Sequence, residues 1–269
     1  LTNPQDTFDL LILDGSVEFD HIIDPPAFDS NSSANSATGT SLSWSHTTGA
    51  GSNRAMIVEI AFNGAGAESV AVSNVTYENY NLTRLLTNVT SGRMVSMWGI
   101  ANPPTGTFNV VVNFPSATID GIAAGAITFT GVDQTTPFEN AKSIIYDSGC
   151  SPTCNPSSAN PSLIISSEPG DLVVDLIAWY NKAIVAGSGQ TQIWIKPQPQ
   201  PNAVQISGTG SYKSGAATVN MSWSNTPNLL TLAAVNINAA TVSNINPSFR
   251  VGYPQINSTL GTNRTAENL

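Results

Sequence analysis

The chain has 269 residues, 41% of them hydrophobic and only 10% charged, with a formal net charge of −9. Ordinary soluble domains carry about 25% charged residues, so Ser, Thr, Asn and Gly must solvate this surface, as in many secreted β proteins. The acidic balance argues against a nucleic-acid partner, which needs clustered Lys and Arg, and no apolar run approaches the roughly 18 residues of a membrane span.

The acid is concentrated at the front. Asp6, Asp9, Asp14, Glu18, Asp20, Asp24 and Asp29 precede every Lys and Arg of the chain. The same stretch is strand-like. Thr7–Leu13 is followed by Asp14-Gly15 and then by an alternating run in which Val17, Phe19, His21 and Ile23 share a face. Asp-Gly between two such runs is a strong hairpin signal. Residues 1–28 are therefore expected to form an N-terminal strand or hairpin arm, and residues 29–40 a Ser/Asn linker without apolar periodicity. Short β-branched and aromatic runs separated by Gly, Pro, Asn and Ser then recur through residues 41–238, with no helical periodicity. Strands are expected at 41–45, 55–63, 69–77, 82–87, 94–101, 107–114, 122–131, 143–146, 163–166, 171–180, 191–196, 204–212, 217–223 and 229–237. The fold class is all-β, a two-sheet β-sandwich of jelly-roll or Ig-like type with an N-terminal arm. Residues 239–269 read as an extended tail, and no repeat of 20–50 residues is apparent.

Few residues invite chemistry. Cys150 and Cys154 lack the spacing of a redox or haem site and the two further ligands of a zinc site, and are read as a local disulfide closing a Pro-containing loop in an oxidising compartment. The histidines are His21 and His46, too few for a zinc site, and no serine sits in a G-x-S-x-G frame. Gly208-Thr209-Gly210 is read as a bend or bulge, not a phosphate loop. Asp171 and Asp175 share a strand face, but the simpler reading places Asp171 at a turn and Asp175 in solvent. No catalytic residue and no cofactor is assigned. Calcium is the one ion considered, with the acidic arm and Asp133 as oxygen donors. Trp44, Trp98, Trp179, Trp194 and Trp223 are read mainly as core, with a sugar-stacking platform as the alternative. Sequons at Asn31, Asn74, Asn81, Asn88, Asn220, Asn257 and Asn263 permit N-glycosylation. Leu1 in place of an initiator Met leads to the expectation of a secreted chain whose signal peptide has been removed.

Several segments carry a resemblance. Asn53–Val58, Val75–Tyr77 with Leu82–Leu85, Met97-Trp98 before Asn102–Thr107, Gly131–Phe138, Pro169–Asp175, Gly189–Gln192 and Gly208–Lys213 are similar to a family of secreted β-sandwich domains of bacterial and archaeal surface proteins. The resemblance implies fold and compartment and carries no catalytic residues. The architecture is also similar to archaeal filament subunits with an extra N-terminal strand. The expected function is therefore a structural, non-enzymatic subunit of an extracellular assembly. Its arm, through Phe8, Leu10, Ile12, Val17, Phe19 and Ile23, would add to a sheet of another copy. The alternatives are a carbohydrate-binding or adhesin module recognising surface glycans and, more remotely, a glycoside hydrolase.

Overall fold

The computed structural model describes residues 12–13, 16–17, 23–63, 71–89, 92–118, 121–147, 160–180, 182–196, 206–227 and 229–241. Among these, every regular element is a β-strand, and no helix is long and apolar enough to cross a membrane. The arm contributes β1 (Ile12–Leu13), β2 (Ser16–Val17) and β3 (Ile23–Asp24). β1 and β2 pair antiparallel, Ile12 opposite Val17 and Leu13 opposite Ser16, while Asp14-Gly15 between them lies outside the described residues.

Two sandwiches follow. The first comprises β4 (Ala27–Ser36), β5 (Gly39–Thr48), β6 (Ala55–Phe62), β7 (Asn74–Tyr77), β8 (Tyr80–Asn81), β9 (Thr83–Asn88), β10 (Met94–Ala101), β11 (Gly106–Thr118) and β12 (Ile122–Thr130). They form a sheet ordered β4-β12-β6-β10-β9 and a second ordered β5-β11-β7-β8. The other sandwich comprises β13 (Phe138–Tyr146), β14 (Ser162–Ser166), β15 (Leu172–Trp179), β16 (Val185–Ala186), β17 (Thr191–Lys196), β18 (Ser207–Ser214), β19 (Thr218–Ser224) and β20 (Leu230–Ile237). Its sheets are ordered β13-β20-β15-β18-β17 and β14-β19-β16. A final β21 (Ala240–Thr241) pairs with β3.

The two five-stranded sheets face each other, so the molecule is a stack of four sheets. Three cores fill it. Met56, Val58, Ile60 and Phe62 of β6 meet Val110, Val112 and Phe114 of β11. Val173, Ile177 and Trp179 of β15 meet Val219, Met221 and Trp223 of β19. Between the sandwiches, Ile57 and Ala61 of β6 and Ile127 and Phe129 of β12 meet Val174 and Leu176 of β15 and Val235 and Ile237 of β20. This explains a contrast in the sequence. β6, β15 and β20 are buried at all eight positions, because both of their faces meet another sheet. β19 of an outer sheet alternates between buried and more exposed positions, as a strand with one solvated face does.

The second sandwich repeats the first in the same chain order, with β13 in the place of β4, β14 of β5, β15 of β6, β16 of β7, and β17 to β20 of β9 to β12. The repeat extends to irregularities. β4 and β13 each shift register near their first Phe, Phe28 and Phe138. β9 and β17 each carry a bulge, at Leu85 and Ile193. The halves meet about an approximate two-fold axis, β4 against β17 and β13 against β9, β12 against β18 and β20 against β10, with β6 against β15. Phe28 stacks on Tyr212 at 6.3 Å, and its counterpart Phe138 lies over Gly99, the position equivalent to Tyr212.

Two sequence expectations are corrected. Residues 29–40 are no linker: Ser30–Ser36 continue β4, which pairs with β12 from Ala27 to Ser36, and Gly39 opens β5. An edge strand needs no apolar period when its neighbour supplies the hydrogen-bond ladder, and most of β4 is only partly buried. Residues 41–238 hold not one sandwich but part of the first and all of the second. The tail beyond Thr241 lies outside the described residues.

Candidate functional site

The chemistry that the fold concentrates lies on either side of β18. Glu59, at the middle of β6, is fully buried and faces the layer between the sandwiches. Its Oε2 accepts a 2.5 Å hydrogen bond from Trp194 Nε1, while its Oε1 is buried with no hydrogen-bond partner. Glycines make the space. A Cβ at Gly210 would collide with Glu59 Oε2 and come within 2.5 Å of Trp194 Nε1. One at Gly125, opposite Glu59 on β12, would enter the same indole, and one at Gly208 would lie 2.9 Å from it. Gly208-Thr209-Gly210 is thus a place where a ring and a carboxyl approach the backbone. The bulge sits on the neighbouring strand β17, between Gln192 and Trp194.

On the opposite face of the same sheet, Asp175 of β15 is also fully buried, against the expectation that it faces solvent. Its Oδ1 accepts from Ser211 Oγ at 2.5 Å and from the Ser211 amide at 3.1 Å. Its Oδ2 accepts from Trp223 Nε1 at 2.7 Å and Gln190 Nε2 at 3.4 Å. The two carboxyls therefore bracket consecutive residues of β18, Gly210 and Ser211. Burial pushes the Asp175 carboxyl up to about 7, against the pull of its bonds from Ser211 and Trp223. Burial pushes Glu59 well above the ordinary carboxyl range; the Trp194 bond opposes this and the nearby Asp175 adds to it. Asp171 follows the turn at residues 169–170, where its Oδ2 accepts from the Glu168 amide at 3.2 Å, and it also accepts from the Ala239 amide at 2.8 Å and from Asn236 Nδ2 at 2.9 Å.

His46 lies inside the first sandwich. Its Nδ1 is 2.8 Å from Ser32 Oγ and its Nε2 2.7 Å from Thr128 Oγ1. Burial lowers it to about 4, although Asp29 acts in the opposite sense. The ring joins β4, β5 and β12 as a neutral link.

The five indole N–H groups all find partners. Besides Trp194 and Trp223, Trp44 donates to Ser32 Oγ at 2.9 Å, Trp98 to Ser96 Oγ at 2.7 Å and Trp179 to the Lys182 carbonyl at 2.7 Å. Four of the rings are buried and Trp44 is half-buried, which is the core reading. Asp133 lies in a polar cleft of about 410 Å³ with Glu139, Glu168, Asp171 and Asn236, and its Oδ1 accepts from the amides of Thr135 and Thr136, both at 2.7 Å. Among the described residues no three His, Cys, Asp or Glu side chains are grouped to hold a metal ion.

The remaining expected sites are scattered. Ile12 pairs with Val17, and Ile23 pairs with Thr241 of its own chain. Phe8, Leu10, Phe19, His21, Cys150, Cys154, Asn257 and Asn263 lie outside the described residues. Asn81 and Asn220 are exposed and Asn74 half-exposed. Asn31 Nδ2 donates to the Ile193 carbonyl at 2.6 Å and Asn88 Nδ2 to Ser143 Oγ at 3.0 Å. Sequence reasoning passed over Glu59 altogether. Its signal was a single acid inside the otherwise apolar run Ala55–Phe62.

Comparison with protein-family models, with curated proteins and with solved structures finds no match to this chain.

Proposed function

We propose that the protein is a structural subunit of an extracellular filament or surface assembly, in which a strand of one copy completes a sheet of the next. The observation that carries this reading is a difference between the two halves. In the first, β11 is flanked by β5 on one side and by β7 on the other, with Val75 and Tyr77 of β7 buried in the core. In the second, β19 has β14 on one side, but on the other β16 pairs only with Trp223 and Ser224. After the two residues of β16, where β7 continues along β11 in the first half, the chain turns through Gly187–Gln190, with Gly189 at φ +77°. That turn covers Ser222 alone, through the Gly187 amide and Gln190 Oε1. No strand of the described residues lies beside Thr218–Met221 on that flank. Val185 next to it is 58% exposed. The large apolar side chains that stay exposed among the described residues, Phe28, Tyr80, Ile164, Val185 and Ile195, all belong to edge strands.

An edge of this kind, where the Lys213 side chain reaches the Asn220 carbonyl at 3.3 Å but no strand is paired, accepts an added strand through main-chain hydrogen bonds once that side chain moves aside. The alternating arm ahead of β3 is a segment suited to it, and a head-to-tail contact of this type propagates into a filament. The reading as a carbohydrate-binding or adhesin module draws no support from the tryptophans, which are committed to the core.

The test uses the full-length chain and Asn220→Pro. Asn220 follows the alternation that turns the Ser222 amide and carbonyl toward the free flank, so proline there blocks an incoming strand without breaking the ladder to β14. Light scattering and negative-stain imaging should show filaments for the unmodified chain and folded monomers for Asn220→Pro. Assembly of the proline variant to the same extent excludes this edge. A full-length chain that stays monomeric at every concentration overturns the proposal.

A further inference from the structure

The approximate two-fold axis supplies an internal control for the buried carboxyls. Matching the ladders of the two inner sheets makes Leu176 the counterpart of Glu59, Leu86 that of Trp194, and Met97 that of Gly210. The same spot therefore occurs twice between the halves. Once it is filled by Leu176, Leu86 and Met97, all members of or packed against the shared core. Once it is filled by Glu59, Trp194 and a glycine that makes room for both. Asp175 likewise stands where the first half has Val58, a core residue. Aliphatic side chains suffice to hold this layer together. The acidic version leaves Glu59 Oε1 without a partner, which costs stability that an apolar residue would not.

We propose that Glu59, seated against Trp194 and Gly210 between the two sandwiches and backed by Asp175 across β18, is a proton-operated latch: protonated, it closes the stack, and on losing its proton it loosens the join between the halves.

The surroundings leave an ionised Glu59 without a counter-charge. Across the ladder it faces Met97 of β10 and Gly125 of β12. β17 contributes Trp194 and β18 contributes Gly210. The charged group that acts on it comes from β15 and is Asp175, of like sign. Asp175 in turn faces Ser211, Trp223 and Gln190. A lost proton is answered by one indole N–H and opposed by the neighbouring carboxylate. The sign follows: an acid whose folded form holds its proton more tightly stabilises the fold at low pH, and that stabilisation is lost as pH rises through its folded value.

The experiment follows amide hydrogen exchange of the full-length chain at pH 5 and pH 9, corrected for intrinsic rates. Protection of β6, β12 and β18 should fall by at least tenfold at the higher pH, together with a red shift of Trp emission. In Glu59→Leu, and in the symmetrised variant Glu59→Leu with Trp194→Leu and Gly210→Met, the loss should be at least tenfold smaller than in the unmodified chain, the remainder being what Asp175 contributes. The proposal is overturned if the unmodified chain keeps its protection in β6 and β18 at pH 9, a result that needs no variant to fold. It is equally overturned if either variant loses protection with pH as the unmodified chain does.

Discussion

A titratable side chain reports its surroundings through the pH at which it destabilises the fold, and His46 and Asp175 do so in opposite directions. His46 is lowered from its ordinary 6.5 to about 4. Its contribution is present above 6.5 and is lost as pH falls toward 4, because only the unfolded chain takes up the proton in that window. Asp175 is raised from 3.8 to about 7. Its contribution is fully present below 3.8 and is lost as pH rises through about 7. Each has a slope of about 1.4 kcal/mol per pH unit, so between about 4 and 6.5 the two offset one another. Replacing His46 with Asn removes one slope. The variant is expected to gain stability relative to the unmodified chain as pH falls from 6.5 to 4.5, read as the shift in urea midpoint at each pH. A constant difference between the two proteins across that range would refute the assignment.

At the scale of the element, the position of a sheet in the stack decides how its strands tolerate change. β15 is buried on both faces: Leu176 packs against the other sandwich, Ile177 against its own outer sheet. Truncating either to Ala should cost about 2–5 kcal/mol, the range for a buried aliphatic that leaves a cavity. On β19, with one buried face, Met221→Ala belongs to that class, while Asn220→Ala on the exposed face should stay within about 0.5 kcal/mol. Denaturant titration of the four variants checks the pattern. A small effect at either Leu176 or Ile177 would mean that one face of the inner sheet is not packed as described. Strand positions were largely legible beforehand. Thr191–Lys196 and Met94–Ala101 coincide with their expected bounds, since β-branched and aromatic runs between turn residues locate a strand by local chemistry alone. β4 was not legible, because its Ser and Asn side chains contribute little burial and its stability comes from a partner about ninety residues away.

For the whole molecule, the shared middle core binds the sandwiches into one cooperative unit. Eighteen buried residues from both halves form it, so neither inner sheet is covered without the other. Thermal unfolding should therefore be a single transition, with the same midpoint when followed through Trp98 in the first half or Trp179 in the second, using variants that keep one of these fluorophores. Two separated midpoints would show that the halves fold independently. The repeat behind this arrangement spans about 110 residues, beyond the short periods of solenoids and propellers. Its traces are present in the chain, in Val110, Val112 and Phe114 against Val219, Met221 and Trp223. Such pairs are too conservative in type to separate from any other buried strand without the ladders that align them.

The amino-acid sequence by itself determined the all-β class, most of the strands and the internal role of most tryptophans, because each depends on local backbone preference or on the period of apolar residues. Only the tertiary structure decided that the strands form two sandwiches stacked as four sheets, that Glu59 and Asp175 lie buried on opposite faces of β18, and that the second partner of β19 reaches only Trp223 and Ser224. Those depend on which strands become neighbours. Pairing across a hundred residues is set by the joint burial of many side chains, and no single segment of the chain records it.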